Sequence, residues 1–87
     1  MDETISVRRE NRIHFLRRLY ELAEADVASF HDGSEIAEDL GIALVEAGRI
    51  IRYYEEHGYL RHAGGGGMTL RITAEGIDFV ELAPLDP

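Results

Sequence analysis

The 87-residue chain carries 17 acidic and nine basic residues for a net charge of −8, with 45% hydrophobic and 30% charged residues and no cysteine. That length suits one domain, whose core removes roughly 60–65% of the unfolded chain's surface from water, and the composition is that of a folded globular protein. Disulfides and thiolate metal sites are excluded, and the charge rules out indiscriminate attraction to phosphates, so any nucleic-acid surface has to be local. No apolar run approaches the ~20 residues of a membrane span. The segment MDETISVRRE lacks the apolar core of a signal peptide, so a cytoplasmic location without membrane contact is the expectation. All nine basic residues are arginine, with Arg8, Arg9, Arg12, Arg17 and Arg18 near the start and Arg49, Arg52, Arg61 and Arg71 in the second half.

In chain order, residues 1–6 read as a mobile end. Residues 11–25, NRIHFLRRLYELAEA, form an amphipathic helix with Ile13, Leu16, Leu19, Tyr20, Leu22 and Ala23 on one half and His14, Arg17, Arg18, Glu21 and Glu24 on the other. With Phe15 the apolar arc covers about half the circumference, more than a small core hides, which points to self-association as a homodimer. In VASFHDGSE a short strand is expected at Ala28–Phe30, before Asp32 or Ser34 caps a new helix; Asp32 with Glu35 fits a capping box. The helix SEIAEDL buries Ile36, Ala37 and Leu40 and stops at Gly41, a residue suited to the left-handed C-terminal conformation.

The segment ALVEAGRIIRYYEEHG repeats the helical period, with Leu44, Ala47, Ile51 and Tyr54 on the core stripe, Val45, Arg49, Arg52 and Glu56 opposite, and Gly58 as its stop. YLRHA and MTLRIT read as strands joined through glycines 64–67 in a β-hairpin, because glycine takes positive φ without steric cost. A phosphate-binding P-loop needs a Lys-Ser/Thr pair and a following helix, and this chain has no lysine. Thr73 then caps a last helix in TAEGIDFVEL, which returns Ile77 and Val80, or Phe79 and Leu82, to the core, and APLDP reads as a second mobile end. The expectation is a single α+β domain over 1–87 with an ordered core of about 11–82.

The order helix, short strand, helix, turn, helix, hairpin, helix resembles the winged helix-turn-helix family from about Asn11 to Leu82. The resemblance is carried by SEIAEDLGIALVEAGRIIRYYEEHGYL, a short helix ending in Leu-Gly followed by a recognition helix ending in an acidic pair and Gly. LRITAEGIDFVE is similar to the wing's return strand running into a final helix. These are patterns of residue type with no invariant motif, and they specify a fold better than an activity. The resemblance implies a three-helix core with a short strand, a C-terminal hairpin wing and a final helix. It also implies a transcription regulator that binds double-stranded DNA as a homodimer, with the recognition helix in the major groove. Val45, Glu46, Arg49 and Tyr53 then fall where the family reads bases, Arg52 falls nearer the phosphates, and Arg61 and Arg71 fall on the wing strands against the backbone. The side-chain chemistry suits part of this assignment, since Arg49 can offer a bidentate pair to guanine and Glu46 can accept from cytosine N4. Ala43 stands where Ser or Thr commonly caps the recognition helix, and Ile50 is expected to flank the reading face.

Each of these residues has a plainer reading. Arg49 and Arg52 suit a solvated helix face paired with Glu55 or Glu56, Arg61 and Arg71 suit solubilising cross-strand positions, and Gly48 costs roughly 1 kcal/mol relative to Ala inside a helix. His14, His31, His57 and His62 show no HxxxH or HExxH spacing, so neither a metal nor a cofactor is expected. The carboxylates come without a nucleophile, base and orienting group, so no enzyme is expected. The alternative function is a winged-helix protein-interaction module without DNA binding. Continuous positive charge around Arg49, Arg52, Arg61 and Arg71 favours DNA, and interruption by Glu46, Glu55 and Glu56 favours protein.

Overall fold

A computed structural model of the chain describes residues 2–64 and 67–82. Its elements run α1 (Asp2–Leu22), β1 (His31–Asp32), α2 (Gly33–Leu40), α3 (Leu44–Glu56), β2 (Leu60–His62), β3 (Thr69–Ile72) and α4 (Ala74–Leu82). The strands form one antiparallel sheet in the order β1-β3-β2, with His31 opposite Leu70, and Leu60, Arg61 and His62 opposite Ile72, Arg71 and Leu70. The result is a small α+β domain with four helices and a three-stranded sheet among the described residues. No helix among them is long and apolar enough to cross a membrane.

Helix α1 begins at Asp2, not at Asn11, so residues 2–6 belong to a helix. Residues 2–10 carry no apolar period, but they contain neither Gly nor Pro, and the packed segment propagates through them at little cost. The expectation for APLDP falls on residues 83–87, outside the described residues. The helix buries Phe15, Leu16, Leu19 and Ala23, whereas Ile13 and Leu22, expected inward, are exposed. At 3.6 residues per turn both lie beyond the edges of the buried arc.

The strand expected at Ala28–Phe30 forms instead at His31–Asp32. Asp26 holds the preceding residues in a turn: its Oδ1 accepts from the Ala28 N–H at 3.0 Å and its carbonyl from the Ser29 N–H at 3.0 Å. Pairing with β3 starts only beyond that turn. Asp32 caps α2, its Oδ1 accepting from the Ser34 N–H at 2.9 Å and the Ser34 hydroxyl at 2.7 Å. These bonds hold its carboxyl below the ordinary range. Gly41 ends α2 at φ 71° while the Ile42 N–H returns to the Ala37 carbonyl at 2.8 Å, and a three-residue turn leads into α3.

Helix α3 buries Ala47, Ile50, Ile51 and Tyr54. Ile50, expected beside the reading face, is thus core, and Leu44, expected in the core stripe, is exposed. Leu44 lies in the first turn, where no described element covers it, so the buried stripe is completed by Ile50 on the other side of Ala47 and Tyr54. The Ala43 cap makes no side-chain hydrogen bond. Gly58, at φ 79°, turns the chain into β2. Leu60, Leu70 and Ile72 face the core, and the loop joining β2 to β3 spans residues 63–68, of which 65 and 66 lie outside the described residues. Thr73 fastens α4 to that turn, its hydroxyl donating to the Gly58 carbonyl at 2.5 Å and accepting from the Gly76 N–H at 3.0 Å. Of the α4 residues expected inward, Val80 is buried, Ile77 and Phe79 are half-buried and Leu82 is exposed.

Candidate nucleic-acid interface

The geometry of α3 follows from its buried side. Packing Ala47, Ile50, Ile51 and Tyr54 inward turns Val45, Arg49, Arg52 and Glu56 to the opposite face, and all four are exposed, Val45 at 72%. Glu46 and Tyr53 lie on one flank of this face and Gly48 and Glu55 on the other. Each flank has its own neighbours. Tyr53 meets α1, with the Arg12 guanidinium carbon 4.5 Å from its ring centroid, whereas Gly48 and Glu55 meet the hairpin. A Cβ at Gly48 would lie 4.0 Å from Met68 Cε, and Glu55 Oε1 lies 3.2 Å from His62 Nδ1. The last turn of α3 is therefore fastened to the edge strand β2.

Several of the residues singled out in the sequence do come together. Glu46 Oε1 lies 3.4 Å from Arg49 Nη1, one helical turn away, so these two residues, both expected to read bases, form an internal ion pair. Arg61 and Arg71 stand directly opposite each other across the β2–β3 ladder, on the sheet face away from Leu60, Leu70 and Ile72. Neither of these two arginines, nor Arg52, has an ion pair among the described residues. Tyr53 is drawn toward Arg12 and away from the centre of the outward face, and Glu46, half-buried beside Arg49, is the least exposed of the expected base readers. Positive charge over this surface is interrupted by Glu46 and Glu55 in their pairs and by exposed Glu56.

Sequence reasoning missed the aromatic side of the domain. The Tyr53 and His57 rings are 4.7 Å apart, His57 stacks on Tyr59 at 5.2 Å, and Tyr59 stacks on Phe79 at 4.7 Å. The i, i+4 spacing of Tyr53 and His57 was a legible hint, but Phe79 and Arg12 join through tertiary packing alone. Burial raises the pKa of the neighbouring Tyr54 hydroxyl above that of an ordinary tyrosine. No group of three or more metal-ligating side chains occurs among the described residues. No protein-family model, curated protein or solved structure matches this chain.

Proposed function

We propose that this chain is a small winged-helix DNA-binding protein, a transcription regulator that presents α3 to the major groove and the β2–β3 hairpin to the phosphate backbone. The observation that carries this reading is the Arg61–Arg71 pair. Like charges directly opposite each other on a ladder are mutually destabilising, and in a chain with 17 carboxylates neither guanidinium has taken one as a partner among the described residues. A phosphate bridging the two relieves the repulsion and supplies the backbone contact that sets register on a duplex. Arg52 and Arg49 on the outward face of α3 supply the second contact surface. Glu46 either accepts from a cytosine amino group or keeps Arg49 aligned. Pairing of two copies, which gives two half-sites, uses apolar surface that the first turns of α1 leave exposed, such as Ile5.

Titration of labelled duplexes at two salt concentrations tests the reading. Arg61→Ala and Arg71→Ala should each weaken binding to all sequences alike and flatten the salt slope by about one unit. Arg49→Ala should cost about 1–3 kcal/mol on a selected site and relax preference at one base pair. A protein-interaction module is favoured by a different observation: Leu44 and Val45 are exposed side by side at the start of α3, next to Glu46. Absence of duplex binding by the wild type at low salt, together with tight capture of a partner that Val45→Asp abolishes, would replace the DNA reading by this one.

A further inference from the structure

We propose that the cleft between α1 and the C-terminal end of α3 binds a nucleobase bearing a phosphate, either a free mononucleotide or an unpaired base of a nucleic-acid strand. The site is separate from the duplex-binding surface and does not depend on it. It is a hollow of about 280 Å³, with Arg9 and Arg12 of α1 on one side and Tyr53, Tyr54, His57 and Tyr59 on the other. Small-molecule sites run from about 300 to 1,000 Å³, so this hollow suits one base and its phosphate rather than a dinucleotide.

Charge sets this cleft apart from two other hollows of the domain. Two arginines and no carboxylate line it, whereas the hollow beside the α2–α3 turn includes Glu46 and the one against α4 includes Glu75 and Asp78. In a chain of net charge −8, this is a local inversion of the field toward anions. Arg9 and Arg12 are three residues apart on one helix face, so both guanidiniums can reach one phosphate group.

The opposite wall is built for stacking. The rings of His57 and Tyr59 are nearly parallel, 20° apart, and those of Tyr59 and Phe79 are 22° apart, so the three stack on one another as one rigid aromatic wall, to which a base can add only at an uncovered face. Arg12 already lies over the Tyr53 ring, and the other face of a guanidinium plane is a stacking surface for a base. Tyr54 adds an independent indication. It is only 2% exposed, it lines the cleft, and its hydroxyl makes no hydrogen bond with any described residue. The little surface Tyr54 keeps leaves its hydroxyl within reach of solvent, and an acceptor on the ligand can replace water there.

The test is a titration of the full chain with adenosine monophosphate, followed by backbone amide chemical shifts. Parallel arms use adenosine, inorganic phosphate and a short single-stranded oligonucleotide. Saturable shifts at Arg12, His57 and Tyr59 with a Kd below about 1 mM are expected, with adenosine and phosphate each at least about tenfold weaker. The double variant Arg9→Gln with Arg12→Gln should lose about ten- to hundredfold in affinity. Tyr54→Phe should lose about fivefold while melting no lower than the wild type, because no intramolecular hydrogen bond is removed. Arg61→Ala with Arg71→Ala should leave this affinity unchanged, which separates the site from duplex binding. Tighter binding of the oligonucleotide at the same amides identifies a nucleic-acid strand as the natural source, and equal or weaker binding identifies the free nucleotide. The proposal is overturned if neither ligand gives saturable shifts up to about 10 mM, or if the arginine and Tyr54 variants bind as the wild type does.

Discussion

Two glycines in helices, Gly48 of α3 and Gly76 of α4, should respond with opposite sign to the same substitution. Helix propensity alone makes Gly→Ala favourable by about 1 kcal/mol at either position, and neither residue has a positive φ that would penalise a side chain. The surroundings differ. A Cβ at Gly48 would meet only Met68 Cε at 4.0 Å, an ordinary van der Waals contact with the end of a flexible side chain. A Cβ at Gly76 would overlap the Tyr59 carbonyl oxygen and lie 2.9 Å from Ile72 Cγ1. A backbone carbonyl cannot rotate aside, so α4 must move away from the turn at Tyr59. That strains the bond from the Gly76 N–H to Thr73 Oγ1 and the one from the Thr73 hydroxyl to the Gly58 carbonyl. Overpacking of about 1–3 kcal/mol plus about 1 kcal/mol for a weakened hydrogen bond outweighs the propensity gain, leaving a net loss of about 1–3 kcal/mol. At about 4–8 °C per kcal/mol for a domain of this size, Gly76→Ala should melt about 4–24 °C below the wild type and Gly48→Ala about 4–8 °C above it. Thermal unfolding followed by circular dichroism, with urea titration to obtain the free energies, measures both. A Gly76→Ala protein that melts at or above the wild type would refute the close-packing argument for α4.

Three further outcomes are expected. The folded-state pKa of Asp32 lies below 3.8, its ordinary value, because the Ser34 hydroxyl and N–H bond its carboxylate, so its stabilising contribution is present above that pH and is lost as pH falls through the lowered value. The melting temperature should therefore drop less steeply in acid for Asp32→Asn, which keeps a capping oxygen without the charge. The raised pKa of Tyr54 reverses the window: the unfolded chain ionises first, so stability falls as pH climbs past 10.0, and Tyr54→Phe should retain more of its melting temperature in alkali than the wild type. Deleting two of glycines 64–67 should change stability by no more than about 0.6 kcal/mol in urea titrations, because loop-closure free energy varies slowly with length and a Cβ at Gly64 or Gly67 meets nothing within 4 Å.

What the sequence determined by itself is the local grammar of this domain. Asp32 and Thr73 announce helix starts because a short side-chain oxygen can take a backbone N–H two or three residues on, and Gly41 and Gly58 announce stops because the left-handed conformation suits no side chain as well. These interactions span a few residues and are written in residue type. Rotation of each helix about its axis is a different matter. Leu44, Ile50 and Ile51 are all apolar, and whether Leu44 or Ile50 is buried depends on which elements lie beside each turn of α3, a relation between distant segments. The same holds for the candidate sites. That Arg49 and Arg52 face outward follows from helical period, but that Arg61 stands opposite Arg71 depends on hairpin register. Tyr53, His57, Tyr59 and Phe79 align, with Arg12 across from them, only because α1, α3 and α4 converge around one core. The contrast between Gly48 and Gly76 has the same origin, since no local signal says that α4 is pressed against the carbonyl of Tyr59 while α3 leaves a methyl-sized space beside Met68.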